Sequence, residues 1–249
     1  MLEQVRSALV ETCEQTPIVE FRQPYSSPAI APYSNVVRAS DCPADATTNR
    51  IRIVDERMVA VNRVVHGDML LWDTAAGAQA CAEQLLSSFF AVPQISVEPT
   101  AMAAEQFETC RFLLDLWKRY REVILRGTLR PVSVTGGYPL IHAYREDIQL
   151  SAVYAPGLIV TADTAEVTRI VVLNVSHEDS VTLRIRGMQS GLVRLSGTSR
   201  DCTGALLDMW HSEELHESSM RFNGTSPDGE SYITIPCPHC GVLELTLDT

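Results

Sequence analysis

The sequence predicts an α/β region over residues 1–127 followed by an all-β region over residues 128–249. Three observations carry that division. Before Gly127, short apolar runs alternate with segments of helical periodicity, the order from which parallel α/β layers are built. The runs Asn35-Val36-Val37 and Val64-Val65 end in ionisable residues, Arg38 and Asp41 after the first, His66 and Asp68 after the second. That pattern suits a fold whose site lies at the carboxyl ends of its strands. After Gly127 the helical periodicity stops, and short strand-like runs follow one another between turn residues.

In chain order, residues 2–14 place Leu2, Val5, Leu9, Val10 and Cys13 at helical spacing, and Pro17 ends that helix. Ile18-Val19-Glu20-Phe21 reads as a buried strand, with Glu20, Arg22 and Tyr25 at its end. Pro24, Pro28 and Pro32 make the next stretch a loop, longer than an ordinary connection and so a candidate functional loop. Residues 35–39 form the next strand. Residues 44–58 form a helix with Asp41 or Cys42 near its cap and Pro43 tolerated in its first turn. Residues 64–66 are a third strand. Residues 75–90 form a helix with Ala78, Cys81, Ala82, Leu85, Leu86 and Phe89 on one side, and Pro93 ends it. Residues 94–97 are a fourth strand, and residues 104–125 form a long helix that Gly127 terminates.

Beyond it, strand-like runs occupy residues 138–143, 148–154, 157–162, 170–175, 181–186, 191–195, 231–235 and 242–247. Gly136-Gly137, Glu178-Asp179 and Ser226-Pro227-Asp228-Gly229 punctuate them, the pattern of a β-sandwich or barrel. The first region amounts to roughly four βα units, half of the eight in a closed barrel. Four units leave two open parallel edges.

Composition limits the function classes. A hydrophobic fraction of 45% with 20% charged residues fills a packed core. The net charge of -11 repels phosphate backbones and argues against nucleic acid as a partner. The first residues, Met1-Leu2-Glu3-Gln4-Val5-Arg6, lack the apolar stretch of a signal peptide, and no run approaches the roughly 18 apolar residues of a membrane span. Seven scattered cysteines without an export signal read as reduced thiols, so a cytoplasmic location away from membranes is expected. The sequons Asn174-Val175-Ser176 and Asn223-Gly224-Thr225 carry no meaning without export. Cys237-Pro238-His239-Cys240-Gly241 looks like half a zinc site. Tetrahedral zinc takes four ligands and no second Cys-x-x-Cys is present, so the stretch reads as a turn, with no metal and no cofactor expected.

The carboxylates carry the chemistry. Asp41 and Asp68 follow neighbouring strands, and Glu20 ends the strand before them. Cleavage of a glycosidic bond needs a protonated carboxyl beside the leaving oxygen and a second carboxylate on the sugar's other side. Arg38 can hold a sugar hydroxyl or fix a carboxylate. Met69 and Trp72 can form an apolar wall against a sugar face, or simply belong to the core. Asp41 and Asp68 can equally serve as caps, His66 as a core histidine, and Arg22 as the ion-pair partner of Glu20.

Three stretches together resemble a known family: Ile18-Val19-Glu20-Phe21-Arg22-Gln23-Pro24-Tyr25, Arg38-Ala39-Ser40-Asp41-Cys42-Pro43 and His66-Gly67-Asp68-Met69-Leu70-Leu71-Trp72. They are similar to the α-galactosidase (melibiase) clan of glycoside hydrolases, and Ala91-Val92-Pro93-Gln94-Ile95-Ser96 and Tyr138-Pro139-Leu140-Ile141 continue the likeness. The resemblance implies the second half of a (β/α)8 TIM barrel, with a C-terminal antiparallel β-sandwich behind it, and a retaining mechanism on α-galactosides or related α-glycosides. It places the general acid/base on Asp41 and sugar contacts on Glu20, Arg38, Asp68 and Met69, with Tyr25 and Trp72 in the same motifs. The family's nucleophile is an aspartate on an earlier strand, and no aspartate precedes Asp41 here. The expectation is therefore a glycosidase fragment, inactive alone, with a carbohydrate partner and either a homo-oligomer or a complementing N-terminal half-barrel. The alternative is a non-catalytic carbohydrate-binding or scaffolding protein that uses the half-barrel as an interface.

Overall fold

The computed structural model describes residues 1–24, 27–60, 63–186, 194–210, 221–225 and 231–248; for Asp68, Arg194, Arg221–Thr225, Ser231 and Asp248 it describes the backbone alone. Helix α1 (Leu2–Thr12) leads into strands β1 (Glu20–Phe21) and β2 (Val36–Arg38), helix α2 (Ala46–Val59) and strand β3 (Val64–Leu70). Helix α3 (Ala78–Ser87), strand β4 (Val92–Ile95) and helix α4 (Ala104–Arg126) follow. The chain forms two compact units, Met1–Leu71 with Ser87–Val97, and Trp72–Leu86 with Glu98–Thr249, so that α3 and α4 group with the strands after Gly127.

The first unit is a parallel sheet in the order β1-β2-β3-β4, with β1 and β4 as its edges. Alternation along the strands sorts its residues. Val37 and Val65 are fully buried, and Ile53 and Val54 of α2 are 1% exposed, giving this unit its apolar layer. Arg38 and His66 are register partners one residue along from Val37 and Val65, which turns them to the opposite face. Helix α2 approaches β3 closely at Gly67, where an added Cβ would lie 3.2 Å from Ile53 Cδ1.

Two local readings change. Helix α2 is capped by Asp45, whose carboxylate accepts the Thr48 backbone N–H at 2.9 Å, so neither Asp41 nor Cys42 is the cap. Strand β3 continues to Leu70 instead of stopping at His66, which places Asp68 within the strand and not after it. The register with β4 shifts between Gly67 and Leu70, a bulge at Asp68 and Met69. Bulges of this kind re-aim side chains beside functional sites.

The second unit adds β5 (Thr128–Val132), β6 (Leu140–Arg145), β7 (Ile148–Val153), β8 (Ile159–Asp163), β9 (Arg169–Asn174) and β10 (Ser180–Arg186). It closes with β11 (Arg194–Arg200), β12 (Leu206–Trp210), β13 (Arg221–Thr225), β14 (Ser231–Pro236) and β15 (Gly241–Asp248). Seven strands form one sheet, β12-β11-β15-β9-β7-β6-β5, and four form another, β13-β14-β10-β8. Pairing is antiparallel except for β7 with β9 and β8 with β10. Leu140, Ile170, Val172, Leu243 and Leu245 of the larger sheet share one buried cluster with Val160, Leu183, Ile233 and Ile235 of the smaller. The expected strand at residues 191–195 is described only from Arg194, where β11 begins, and the turn Ser226-Pro227-Asp228-Gly229 lies outside the described residues. Among the described residues no helix is long and apolar enough to cross a membrane.

Candidate carbohydrate site on the parallel sheet

Three neighbouring strands bring a set of charged side chains together. Glu20 on β1 receives Arg38 Nε at 2.8 Å on Oε1 and Arg38 Nη2 at 3.3 Å on Oε2, a two-pronged guanidinium–carboxylate pair. Its Oε1 also lies 2.7 Å from His66 Nδ1 on β3. The third nitrogen of Arg38, Nη1, reaches Asp41 Oδ1 at 3.1 Å, and Arg22 Nη2 reaches the same oxygen at 3.1 Å. Arg38 is therefore the hub, with a side chain 11% exposed against 28% for Glu20 and 32% for Asp41.

The hydrogen bonds from Arg38 hold the Glu20 carboxyl below its ordinary value, with His66 adding to that and partial burial working against it. The short segment after β2 is fixed separately. Ser40 Oγ accepts from the Cys42 backbone N–H at 3.3 Å and from Arg52 of α2 at 2.8 Å, so the turn carrying Asp41 is tied to the helix behind it.

Of the residues singled out in the sequence, Glu20, Arg38 and Asp41 converge. His66, read there as a core histidine, joins them, because the β2–β3 register sets it beside Arg38. Arg22, expected as the partner of Glu20, instead binds Asp41, since the neighbouring strand's Arg38 already occupies Glu20. Asp68 and Met69 occupy the β3 bulge; Met69 is half-buried, and the Asp68 side chain lies outside what is described. Tyr25 also lies outside the described residues. Trp72 falls in the second unit, where its indole Nε1 is buried with no hydrogen-bond partner among the described residues.

Chemically, the cluster offers a carboxylate pair with guanidinium and imidazole donors between them, on the polar face of a parallel sheet. Such a set places hydrogen-bond donors and acceptors a short distance apart, the chemistry that could engage a hydroxyl-bearing ligand.

No protein-family model and no curated protein matches the chain. Among solved structures it is similar to a GH27 β-L-arabinopyranosidase from Geobacillus stearothermophilus in complex with arabinose. That likeness has 11% identity and a TM-score of 0.50, and covers 100% of this chain and 54% of that one. A 4-O-α-L-rhamnosyl-β-D-glucuronidase from Fusarium oxysporum also matches at 12% identity and a TM-score of 0.38, over 87% of this chain and 54% of that one. At such identity the first likeness is one of fold, and the chain spans about half the length of each of these enzymes.

Proposed function

We propose that the chain is one half of a glycoside-hydrolase barrel with its accompanying β-sandwich, and that the charged cluster binds the terminal sugar of an α-galactoside or related α-glycoside. One observation carries this reading: Glu20, Arg38, Asp41 and His66, contributed by three adjacent parallel strands and the turn after one of them, meet on one face of the sheet. The fold likeness to a sugar-cleaving enzyme crystallised with arabinose supports it.

In this reading Glu20 and Arg38 engage sugar hydroxyls, and Asp68, Met69 and Tyr25 complete the sugar contacts. Asp41 is the general acid/base, giving a proton to the departing glycosidic oxygen and later taking one from water. Arg22, with a side chain 69% exposed, is the partner of Asp41 that an incoming substrate displaces most easily. A double displacement needs a second carboxylate as nucleophile, roughly 5–5.5 Å from the first. No aspartate precedes Asp41 among these 249 residues, so in this reading the nucleophile belongs to the other half of the barrel. The edges of β1 and β4, which pair with no further strand among the described residues, and the exposed Val5, Val10 and Ile18 ahead of β1 offer that half a surface to cover.

A second reading, non-catalytic carbohydrate binding, is favoured by the two guanidinium groups that hold Asp41 as an acceptor. Hydrolysis of an aryl α-galactoside separates the parts of the proposal. The purified 249-residue chain should give no release above buffer. Robust turnover by the chain alone would overturn the missing-nucleophile argument. Sugar binding that never becomes turnover, even with a complementing half-barrel added, would select the second reading.

A further inference from the structure

The Cys237-Pro238-His239-Cys240 turn between β14 and β15 does not use its cysteines as a pair. Cys237 is fully buried in the cluster shared by the two sheets, where burial pushes its thiol up to about 12. The other two residues turn toward α3. His239 Nε2 lies 2.8 Å from Glu83 Oε1, and Cys240 Sγ lies 3.4 Å from the same nitrogen. We propose that Glu83, His239 and Cys240 form a binding site for a divalent cation of the zinc class.

The hydrogen-bond inventory of the imidazole carries the argument. His239 Nδ1 sits 2.7 Å from the Ser176 carbonyl oxygen, which can only accept, so Nδ1 carries a proton. In the neutral ring Nε2 is then a bare lone pair, aimed at a carboxylate oxygen and a sulfur. A lone pair set against a carboxyl oxygen at that distance requires a proton or a metal ion between them. The arrangement around the ring is the one that metal-bound histidines show, with the distal nitrogen donating to a backbone carbonyl to fix the tautomer.

The donor set and spacing fit zinc. One nitrogen, one sulfur and one carboxylate oxygen all lie within 4.8 Å of one another. Tetrahedral coordination at about 2.0–2.3 Å separates ligand atoms by roughly 3.3–3.8 Å. The Nε2–Sγ pair at 3.4 Å already meets that requirement. Glu83 must withdraw by about half an ångström, which its 42%-exposed side chain allows. Mixed N, S and O donors select a borderline-soft ion over calcium or magnesium. Three protein ligands leave a fourth position for water, or for the exposed His177, whose ring centroid lies 4.6 Å from that of His239. The ion would clip α3 to the β14–β15 turn within the second unit.

Calorimetric titration of the chelator-treated full chain with Zn²⁺ tests this. One ion should bind per chain, and Glu83→Gln, His239→Gln and Cys240→Ser should each weaken it by about tenfold or more. Because Glu83 is half exposed, its glutamine variant keeps the test valid if a buried variant misfolds. With Co²⁺ in place of Zn²⁺, the chain should show tetrahedral d–d bands and a thiolate charge-transfer band that Cys240→Ser removes and Cys81→Ser retains. Absence of saturable binding would overturn the proposal, leaving His239 as a ring proton donor between Glu83 and Ser176. So would binding unaffected by Glu83→Gln and Cys240→Ser but lost in Cys81→Ser, which would move the ion to the Cys81–Cys110 pair, 3.3 Å apart.

Discussion

Replacing Arg38 with methionine should destabilise the parallel-sheet unit by roughly 2–4 kcal/mol, because it strips out the guanidinium that bridges the carboxylates of Glu20 and Asp41. Methionine keeps the length and unbranched shape of the arginine stem, so packing loss is small and the charge loss dominates. Removing one partner of a fully buried ion pair costs more, about 3–5 kcal/mol, but the carboxylates of Glu20 and Asp41 are 28% and 32% exposed, and water screens part of the loss. Lysine at the same position should recover only part of it, since its donors all sit on one nitrogen and cannot span Glu20 and Asp41 as Nε, Nη1 and Nη2 do. The sign with pH is fixed by Glu20. Its folded-state value lies below the ordinary one, so its stabilisation is present above the ordinary carboxylate value and is lost as pH falls through the lower folded value. The gap between the native chain and Arg38→Met should therefore narrow in acid. Adding Glu20→Gln to Arg38→Met should return part of the stability, a coupling that amide hydrogen exchange of β1–β3 measures locally. Additive effects of the two substitutions would contradict the pairing.

Acidification should weaken the second unit through His142. This ring is 9% exposed on β6, with Nδ1 2.8 Å from Ser151 Oγ on the neighbouring β7. Burial, and secondarily the charge of Arg130, lowers it from 6.5 to about 4. Arg130 itself lies over the Tyr144 ring, 5.0 Å from its centroid, so the cation stays close to the imidazole. A depressed histidine means that the unfolded chain binds the proton first. Stability is full above the unfolded value and falls as pH drops from about 6.5 toward 4, by on the order of 3 kcal/mol in total. The diagnostic window is its upper half, before most carboxylates titrate. There, urea unfolding of the native chain should show a slope that His142→Gln abolishes. An equal slope in both proteins would place the acid sensitivity elsewhere.

The strands and helices legible in the sequence were those whose packing repeats locally. Val36-Val37 and Val64-Val65 announced two central parallel strands, and Phe107, Cys110, Leu113 and Leu114 the helix that became α4. The two edge strands of the seven-stranded sheet escaped. Strand β5, Thr128–Val132, contains Pro131 and alternates between exposed and half-buried, which the edge of a seven-stranded sheet tolerates and a central strand would not. Strand β12 exposes Leu206, Leu207 and Met209, so its apolar residues did not mark a buried face. The site divided in the same way. Glu20, Arg38 and Asp41 were visible as polar residues closing apolar runs. The place of His66 depends on the β2–β3 register, and the choice of Asp45 over Asp41 as helix cap depends on which carboxylate reaches the Thr48 N–H. Neither is written in local periodicity. The meeting of Glu83 with His239, 156 residues apart, has no sequence signal beyond a Cys-x-x-Cys that reads as a turn.

The central claim, that this charged cluster is a carbohydrate site and more than a network of ion pairs, is tested most directly by titrating the ¹⁵N-labelled chain with galactose and methyl α-galactoside. The account predicts weak, saturable binding whose amide shifts concentrate at Glu20, Arg38, Asp41 and His66 and vanish in Arg38→Lys. Shifts absent up to the solubility of the sugars, or gathered anywhere else on the chain, would contradict it.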